Sequence, residues 1–405
     1  MKLCIVSEKF MPYRGAAYEK LAEQKSVDLH VYFLSSWGFE ENFDETMGVK
    51  YSWNSKVLSK FSYKIFGKRV TSSTYTGADR RVIERMIPFI GSVIFYFRLF
   101  FSKVSLNAVR DIRKEKFDYV MIENYSSAGS LFAALSAKSI KSKLIFRGEA
   151  VIRHNNIIIR HIKKLYLKSF FKIFDHFLYA SKANLEYLVH YGVSPEKCVF
   201  FPSAVDAKIF DANRFSAAER REIRVSLRNK LGIGNSKFVI IGVGRLVPRK
   251  NWDHIIRSLA LVETDYHLLL VGDGPERRIL ADYLSEHNVE NVTLCGFESQ
   301  ENLYKYYLTA DVAVQCSSYD PSPKFLNEAL GFSLPIVVSS QVGTSSDLCS
   351  HGSNGYVYKY GDLIALAHYL DQIPNRLDEL SREAGLTSQI WNLDSGVENL
   401  MEILK

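Results

Sequence analysis

An apolar run over residues 238–243 ends in Gly244, and Arg245 and Lys250 follow before a helical pattern opens at Trp252. Glycine lets a backbone approach an anion, and a helix start offers unpaired N–H groups and a positive dipole end. The two side chains add full charges, so the combination suits a diphosphate. Further on stands Asp320-Pro-Ser-Pro-Lys-Phe-Leu-Asn-Glu328. Its prolines stiffen a loop, Ser322, Pro323, Lys324 and Phe325, whose backbone would face a sugar and its phosphate, with Lys324 as a third cation. Glu328, near a helix start, suits a bidentate grip on a diol. The two stretches together predict a site for a nucleotide sugar. In the first half, Arg14 and Gly15 follow the first apolar run, and Phe146-Arg-Gly-Glu149 closes another. Gly15 reads equally as a phosphate-facing glycine or an ordinary turn glycine. Glu149 is the candidate acid or base facing an acceptor, with Arg147 beside it; a capping or ion-paired Glu149 competes with that reading.

Such groups need strand ends to carry them. In the first half, β-like runs at 2–7, 28–34, 119–123, 143–147, 176–180 and 198–202 alternate with helical patterns at 17–25, 131–138 and 183–191. This alternation predicts parallel βαβ units. Residues 39–105 are irregular, aromatic and basic, and yield no placed element. Residues 206–235 are polar and charged and read as a linker plus a short helix. The pattern then restarts, with strands at 238–243, 267–271, 292–295, 312–315, 336–339 and 356–358 and helices at 252–262, 276–287, 299–309 and 324–331. The fold class is therefore α/β, with two doubly wound parallel sheets. Ligands of such sheets sit beyond the carboxyl ends of the strands, and two facing sheets place a reaction in the cleft between them.

The 405-residue length favours two domains, and 47% hydrophobic with 24% charged residues excludes a disordered chain. The five cysteines have no paired spacing and read as free thiols of a reducing compartment. The first strand starts at once, with no signal peptide ahead of it. The net charge of +8 fits a solvated basic surface, an anionic membrane or a phosphorylated ligand; no nucleic-acid motif accompanies it, and none is expected as a partner. The longest uncharged apolar run, residues 86–97, is too short to span a bilayer.

The order of motifs resembles family 4 retaining glycosyltransferases of the GT-B fold, the group 1 type. The matching pieces are Gly244-Arg245-Leu246, Lys250-Asn251, Leu270-Val-Gly-Asp-Gly-Pro275, Leu294-Cys-Gly-Phe297, Ala310-Asp311, and Asp320 to Glu328 followed by Ala329, the family's Glu, seven residues, Glu signature. Ala180-Ser181 and Pro202-Ser-Ala-Val-Asp206 with Phe210 echo two further segments. The resemblance covers nearly the whole chain and is strongest from Gly242 onward. It implies two facing Rossmann-like domains. Residues 1–205 would bind the acceptor, residues 206–385 the nucleotide sugar, and residues 386–405 would form a helix crossing back to the first domain. It assigns Arg245 and Lys250 to the donor diphosphate, Glu328 to the ribose hydroxyls, Gly15 and Gly244 to the phosphate-facing turns, and Gly296 and Phe297, with Gly272 and Asp273, to the base. Asp320 stands where the family has Glu, which alters the contact to the donor sugar, and Glu149 lies where the family more often has His. The implied activity is a retaining transfer of hexosyltransferase type to a glycan or lipid-linked acceptor, as in lipopolysaccharide or capsule assembly. No cofactor and no metal are expected: no Asp-x-Asp occurs, and the ten histidines form no ligand cluster. A nucleotide-sugar 2-epimerase of the same fold, and a catalytically idle nucleotide-sugar-binding scaffold, remain as alternatives.

Residues 159–174 add a membrane question. Ile159, Ile162, Tyr166, Phe170 and Ile173 recur on one helical face, and Arg160, Lys164, Lys168 and Lys172 on another. The pattern fits docking on an anionic membrane from the cytoplasm as well as ordinary packing on a sheet. The aromatic run at residues 95–101 adds apolar surface in the same half.

Overall fold

The computed structural model describes residues 1–39, 42–44, 49–51, 59–67, 100, 104–152 and 157–405. The apolar run at 86–97 and most of the aromatic run at 95–101 lie outside them. The strands are β1 (Lys2–Ser7), β2 (Asp28–Phe33), β3 (Asn42–Asp44), β4 (Val49–Tyr51), β5 (Ser62–Ile65), β6 (Tyr119–Ile122), β7 (Lys143–Gly148), β8 (His176–Tyr179), β9 (Cys198–Phe200), β10 (Phe238–Val243), β11 (Tyr266–Val271), β12 (Val292–Gly296), β13 (Val312–Gln315), β14 (Ile336–Ser339) and β15 (Gly355–Tyr358). They form two parallel sheets, β5-β2-β1-β6-β7-β8-β9 and β12-β11-β10-β13-β14-β15, beside the small antiparallel pair β3-β4. Both large sheets reverse direction beside their first strand, at β1/β6 and β10/β13, which opens a crevice at the carboxyl end of each.

The strands read as continuous apolar runs because helices cover both faces. In β1, Leu3 and Ile5 join one buried cluster and Cys4 and Val6 another. In β11, Leu269 and Val271 face one way, and Leu268 and Leu270 the other. One cluster runs from the first sheet through Phe201, Val205 and Phe210 into the second, so the two domains share apolar packing.

The charged stretch read as a linker plus a short helix contains the 14-residue helix Ala217–Lys230, opened by a Ser216/Glu219 capping box. Two of its arginines are held by one carboxylate: Arg228, 1% exposed, and Arg224 both pair with Asp311, at 3.0 and 2.6 Å. Asp311 also accepts from the Val239 N–H at 2.8 Å, which ties this helix to the start of β10.

The chain returns through the helix Leu363–Ile390, which bends at Arg376 just after Pro374. This helix runs through residues 385 and 386 without a break. After it, the helix Leu393–Ile403, capped by Asn392, lies against the helix Pro12–Ala22 and β9. Trp391 meets Phe200 edge-on at 5.2 Å, Asn399 donates to the Phe200 carbonyl at 2.9 Å, and Lys20 pairs with Asp394.

Candidate active site

In the second domain the turns after β10, β11 and β12 are stitched together by backbone hydrogen bonds. The Gly244 N–H donates to Val271 O at 2.9 Å, Leu246 N–H to Asp273 O at 2.9 Å, and Gly272 N–H to Gly296 O at 2.7 Å. Side chains have no room between these loops. At Gly272, whose φ is +142°, a Cβ would sit 2.0 Å from Gly244 O. Gly244 has no Cβ in the place next to Lys250, where one would lie 3.4 Å from Nζ. Arg245 is exposed, and its carbonyl accepts from Trp252 Nε1 at 3.1 Å. Gly296 turns the end of β12 at a φ of +79°, and the next side chain, Phe297, is 44% exposed.

Lys250 and Asp320 meet in a buried ion pair of 2.8 Å, with Arg249 at 3.8 Å from the same carboxylate oxygen. The loop after Asp320 runs into the helix Lys324–Gly331, whose N-cap is the buried Pro323. Phe325 faces inward and stacks on Tyr307 at 6.3 Å. Lys324, at the first helical position, crosses to the first domain. Its ammonium lies 3.4 Å from Glu149 Oε2, 3.2 Å from Ser203 O and 3.3 Å from Ser322 Oγ, and it also donates to Ser203 Oγ. Burial pulls Lys324 below the ordinary lysine value, with Glu149 opposing.

In the first domain, Glu123 follows β6 at the crevice and takes Arg14 at 2.8 Å on one oxygen and Arg147 at 3.0 Å on the other, with the Tyr18 hydroxyl donating as well. Burial pushes the Glu123 carboxyl up, but the two guanidiniums together with the Tyr18 and Ser7 hydroxyls hold it below its ordinary value. Arg147 also packs over the Phe201 ring, 4.5 Å from its centroid. Glu149 accepts from Ser203 Oγ at 2.6 Å. Burial would raise its carboxyl, yet Lys324, Arg14 and Arg147 bring it down to about 2. These groups surround a cavity of about 150 Å³ lined by both domains, with Glu8, Lys9, Tyr13 and Asn124 also on its wall.

Glu328 lies between the two charged groups and is 2% exposed. Oε1 accepts from the Tyr13 hydroxyl at 2.8 Å, across the domain boundary, and Oε2 from the Tyr307 hydroxyl. Burial raises its carboxyl above the ordinary value, against the two hydroxyls and the field of Lys324 and Lys250.

The structure thus joins Arg14, Arg147, Glu149 and Lys324 in one cluster and Lys250 with Asp320 in another, with Glu328 linked to both domains. Gly15 is placed differently from its expected turn. It sits in the first turn of the helix Pro12–Ala22, because Pro12 at the helix start supplies a helical φ early. Glu123, Ser203, Tyr13 and Tyr307 were not singled out from the sequence. The signal for Glu123 was present, a charged residue directly after an apolar strand; nothing in the sequence marks the two tyrosines. The helical face predicted at 159–174 also shifts. Among its described side chains, Leu167, Phe170 and Phe171 are buried, whereas Ile162 is 64% exposed. The buried residues follow the i, i+3, i+4 stripe, one position away from Ile162. The Ile159 side chain lies outside the described residues.

Residues 224–384 match the profile of the family described as glycosyl transferases group 1. Residues 224–384 are a group 1 glycosyltransferase domain. This glycosyltransferase is 23% identical over 302 residues to the alpha-monoglucosyldiacylglycerol synthase of Acholeplasma laidlawii, a match covering 69% of this chain and 73% of the relative. It is 29% identical over 176 residues to the N-acetylgalactosamine-N,N'-diacetylbacillosaminyl-diphospho-undecaprenol 4-alpha-N-acetylgalactosaminyltransferase of Campylobacter jejuni, covering 43% of this chain and 44% of that one. Among solved structures, HepE of Anabaena in complex with UDP superposes with a TM-score of 0.72 at 16% identity, covering 100% of this chain and 99% of that one. At this identity the likeness is one of fold: the glycosyltransferase has the GT-B architecture of two facing Rossmann-like domains.

Proposed function

We propose that this glycosyltransferase moves a sugar from a nucleoside diphosphate to a hydroxyl of a glycan or lipid-linked acceptor, with retention at the anomeric carbon and without a metal. The observation that carries this reading is the convergence of Lys250 beside Gly244, Lys324 at a helix start and the buried Glu328 at the carboxyl ends of both sheets. Lys250, Lys324 and Arg245 would hold the diphosphate and Glu328 the ribose diol. The bond from the anomeric carbon to the phosphate oxygen breaks with its electron pair going to the diphosphate. The acceptor oxygen bonds the same face, and its proton passes to the departing phosphate. Cations fixed at that oxygen stabilise charge that develops only in the transition state. With its carboxyl at about 2, Glu149 stays ionised at neutral pH and is a weak proton acceptor; it positions Lys324 instead. Asp320 remains the candidate contact to the donor sugar, released in part from Lys250 when the phosphate arrives.

The relatives support a lipid-linked or surface-glycan acceptor: both names given above describe α-linked transfer, one to a diacylglycerol lipid and one to a diphospho-undecaprenol. UDP and UDP-glucose in the HepE structures support a nucleotide-sugar donor. Ile162 and Leu165, 64% and 72% exposed, stand among the exposed Arg160, His161, Lys164, Lys168 and Lys172. That surface suits peripheral docking on the cytoplasmic face of an anionic membrane. Among the described residues no helix is long and apolar enough to cross one.

The test is turnover of a panel of UDP-, GDP- and ADP-sugars in the presence of chelator, with NMR of the product's anomeric proton. Retained configuration with one donor supports the reading; inversion, or turnover only with added metal, refutes it. Sedimentation with phosphatidylglycerol vesicles at low salt tests the membrane clause, and absence of binding there removes it.

A further inference from the structure

The two hydroxyls on Glu328 are not equivalent. Tyr307 is fully buried, its ring stacked on Phe332 at 5.3 Å and on Phe325 at 6.3 Å and set edge-on to Phe210 at 6.1 Å. It has nowhere to go. Tyr13 is half-buried, belongs to the other domain, and borders the cavity of about 150 Å³ in the cleft. Its side chain can leave Glu328 by turning toward space that already exists.

A carboxylate as buried as Glu328 needs donors on both oxygens, because an unsatisfied one is expensive. When a donor occupies the site, a ribose hydroxyl fills that need; before it arrives, something else must. We propose that Tyr13 is a place-holder for the ribose: its hydroxyl occupies Glu328 Oε1 in the donor-free enzyme and is displaced by a ribose hydroxyl when the nucleotide binds. This rests on the reading of Glu328 as the diol-binding residue. The displacement makes donor arrival felt in the first domain. Tyr13 lies in the first turn of the helix Pro12–Ala22, next to Arg14, whose guanidinium is bonded to Glu123. Tyr13 is therefore a positioning residue. It competes with the ribose for Glu328, and it frees the start of its helix only when a ribose hydroxyl takes its place.

The experiment compares wild type, Tyr13→Phe and Glu328→Gln by calorimetry. The probes are whichever of UDP, GDP and ADP the wild type binds, and the 2′,3′-dideoxy form of that nucleotide. Removing the competing hydroxyl should tighten the ribonucleotide roughly tenfold, the size of one hydrogen bond to a charged group. The dideoxy nucleotide, which displaces nothing, should bind Tyr13→Phe and wild type alike. A merely structural role for Tyr13 would change both nucleotides together. If Glu328→Gln weakens the ribonucleotide but Tyr13→Phe leaves it unchanged or weaker, the place-holder is refuted while the diol site stands. If Glu328→Gln binds both nucleotides as wild type does, the diol site itself fails and the place-holder with it. A melting curve of Tyr13→Phe within a few degrees of wild type shows that the comparison is made on folded protein.

Discussion

The Lys250–Asp320 pair makes a prediction that separates folding from binding. Both groups are buried and 2.8 Å apart, so Lys250→Ala leaves a carboxylate stranded in the second domain. Breaking a buried pair by removing one partner costs about 3–5 kcal/mol. Arg249, half exposed and 3.8 Å from the same oxygen, takes over part of the role, which puts the expected loss near the lower end, about 3 kcal/mol. Asp320→Ala strands Lys250 in the same way. Removing both leaves no buried charge, so the double variant should be more stable than the sum of the single losses predicts, by about 1–3 kcal/mol. Nucleotide binding should follow a different rule. Lys250→Ala and the double variant should both bind nucleoside diphosphate on the order of 100-fold more weakly, a loss of about 3 kcal/mol for one fixed cation at a phosphate. Asp320→Ala, which frees Lys250 from its competitor, should bind it at least as tightly as wild type. Denaturant unfolding and calorimetry on the four proteins read the two sets of numbers. Single-variant losses that simply add, or a Lys250→Ala protein that binds nucleotide normally, would refute the reasoning.

Three further outcomes follow from the same geometry. Gly272→Ala forces a Cβ to within 2.0 Å of Gly244 O at a φ of +142°, so it should destabilise the second domain by several kcal/mol and abolish nucleotide binding; a stable, binding-competent variant would contradict the loop stitching. Glu149 falls from the ordinary 4.5 to about 2 in the folded protein, which corresponds to at most about 3 kcal/mol of stability. Because the folded value is the lower one, that contribution is full at neutral pH and is lost as pH falls from about 4.5 toward 2; Glu149→Gln should therefore be less stable at pH 7, with the gap closing over that window in acid unfolding curves. Glu328 is raised by burial and must be ionised to accept ribose hydroxyls, so nucleotide affinity should drop on acidification at a pH above the ordinary 4.5, and calorimetry across pH should show that component missing in Glu328→Gln.

Much of the second domain was legible because its strands are short apolar runs between helical patterns and its turns are glycines at strand ends. β10, β13 and β14 and the helix Lys324–Gly331 fall where the pattern puts them. The edge strand Ser62–Ile65 was not, since its exposed side chains carry no apolar run and its place beside β2 is fixed by a partner far away in sequence. The helix Ala217–Lys230 was underestimated for the opposite reason: Arg224 and Arg228 look solvated until Asp311, far along the chain, is seen to pair with both. In the site, Lys250, Asp320 and Glu328 were picked out by their motifs and the family resemblance, and the fold pairs the first two. Other partners in the site were not picked out. Tyr13 reaches Glu328 from 315 residues away, and Ser203, in a segment that only echoes the family with no role assigned, joins Glu149 to Lys324. Spacing along a chain identifies residues that share a loop, whereas the cleft is made by the meeting of two sheets.

The central claim is that the cleft holds a nucleoside diphosphate on Lys250 and Glu328 without a metal. Calorimetric titration of UDP, GDP and ADP into the chelator-treated protein tests it most directly. The account predicts one nucleotide bound at a single site, with binding greatly weakened in both Lys250→Ala and Glu328→Gln. Well-folded protein that binds none of the three, or binds one equally well in both variants, would contradict it.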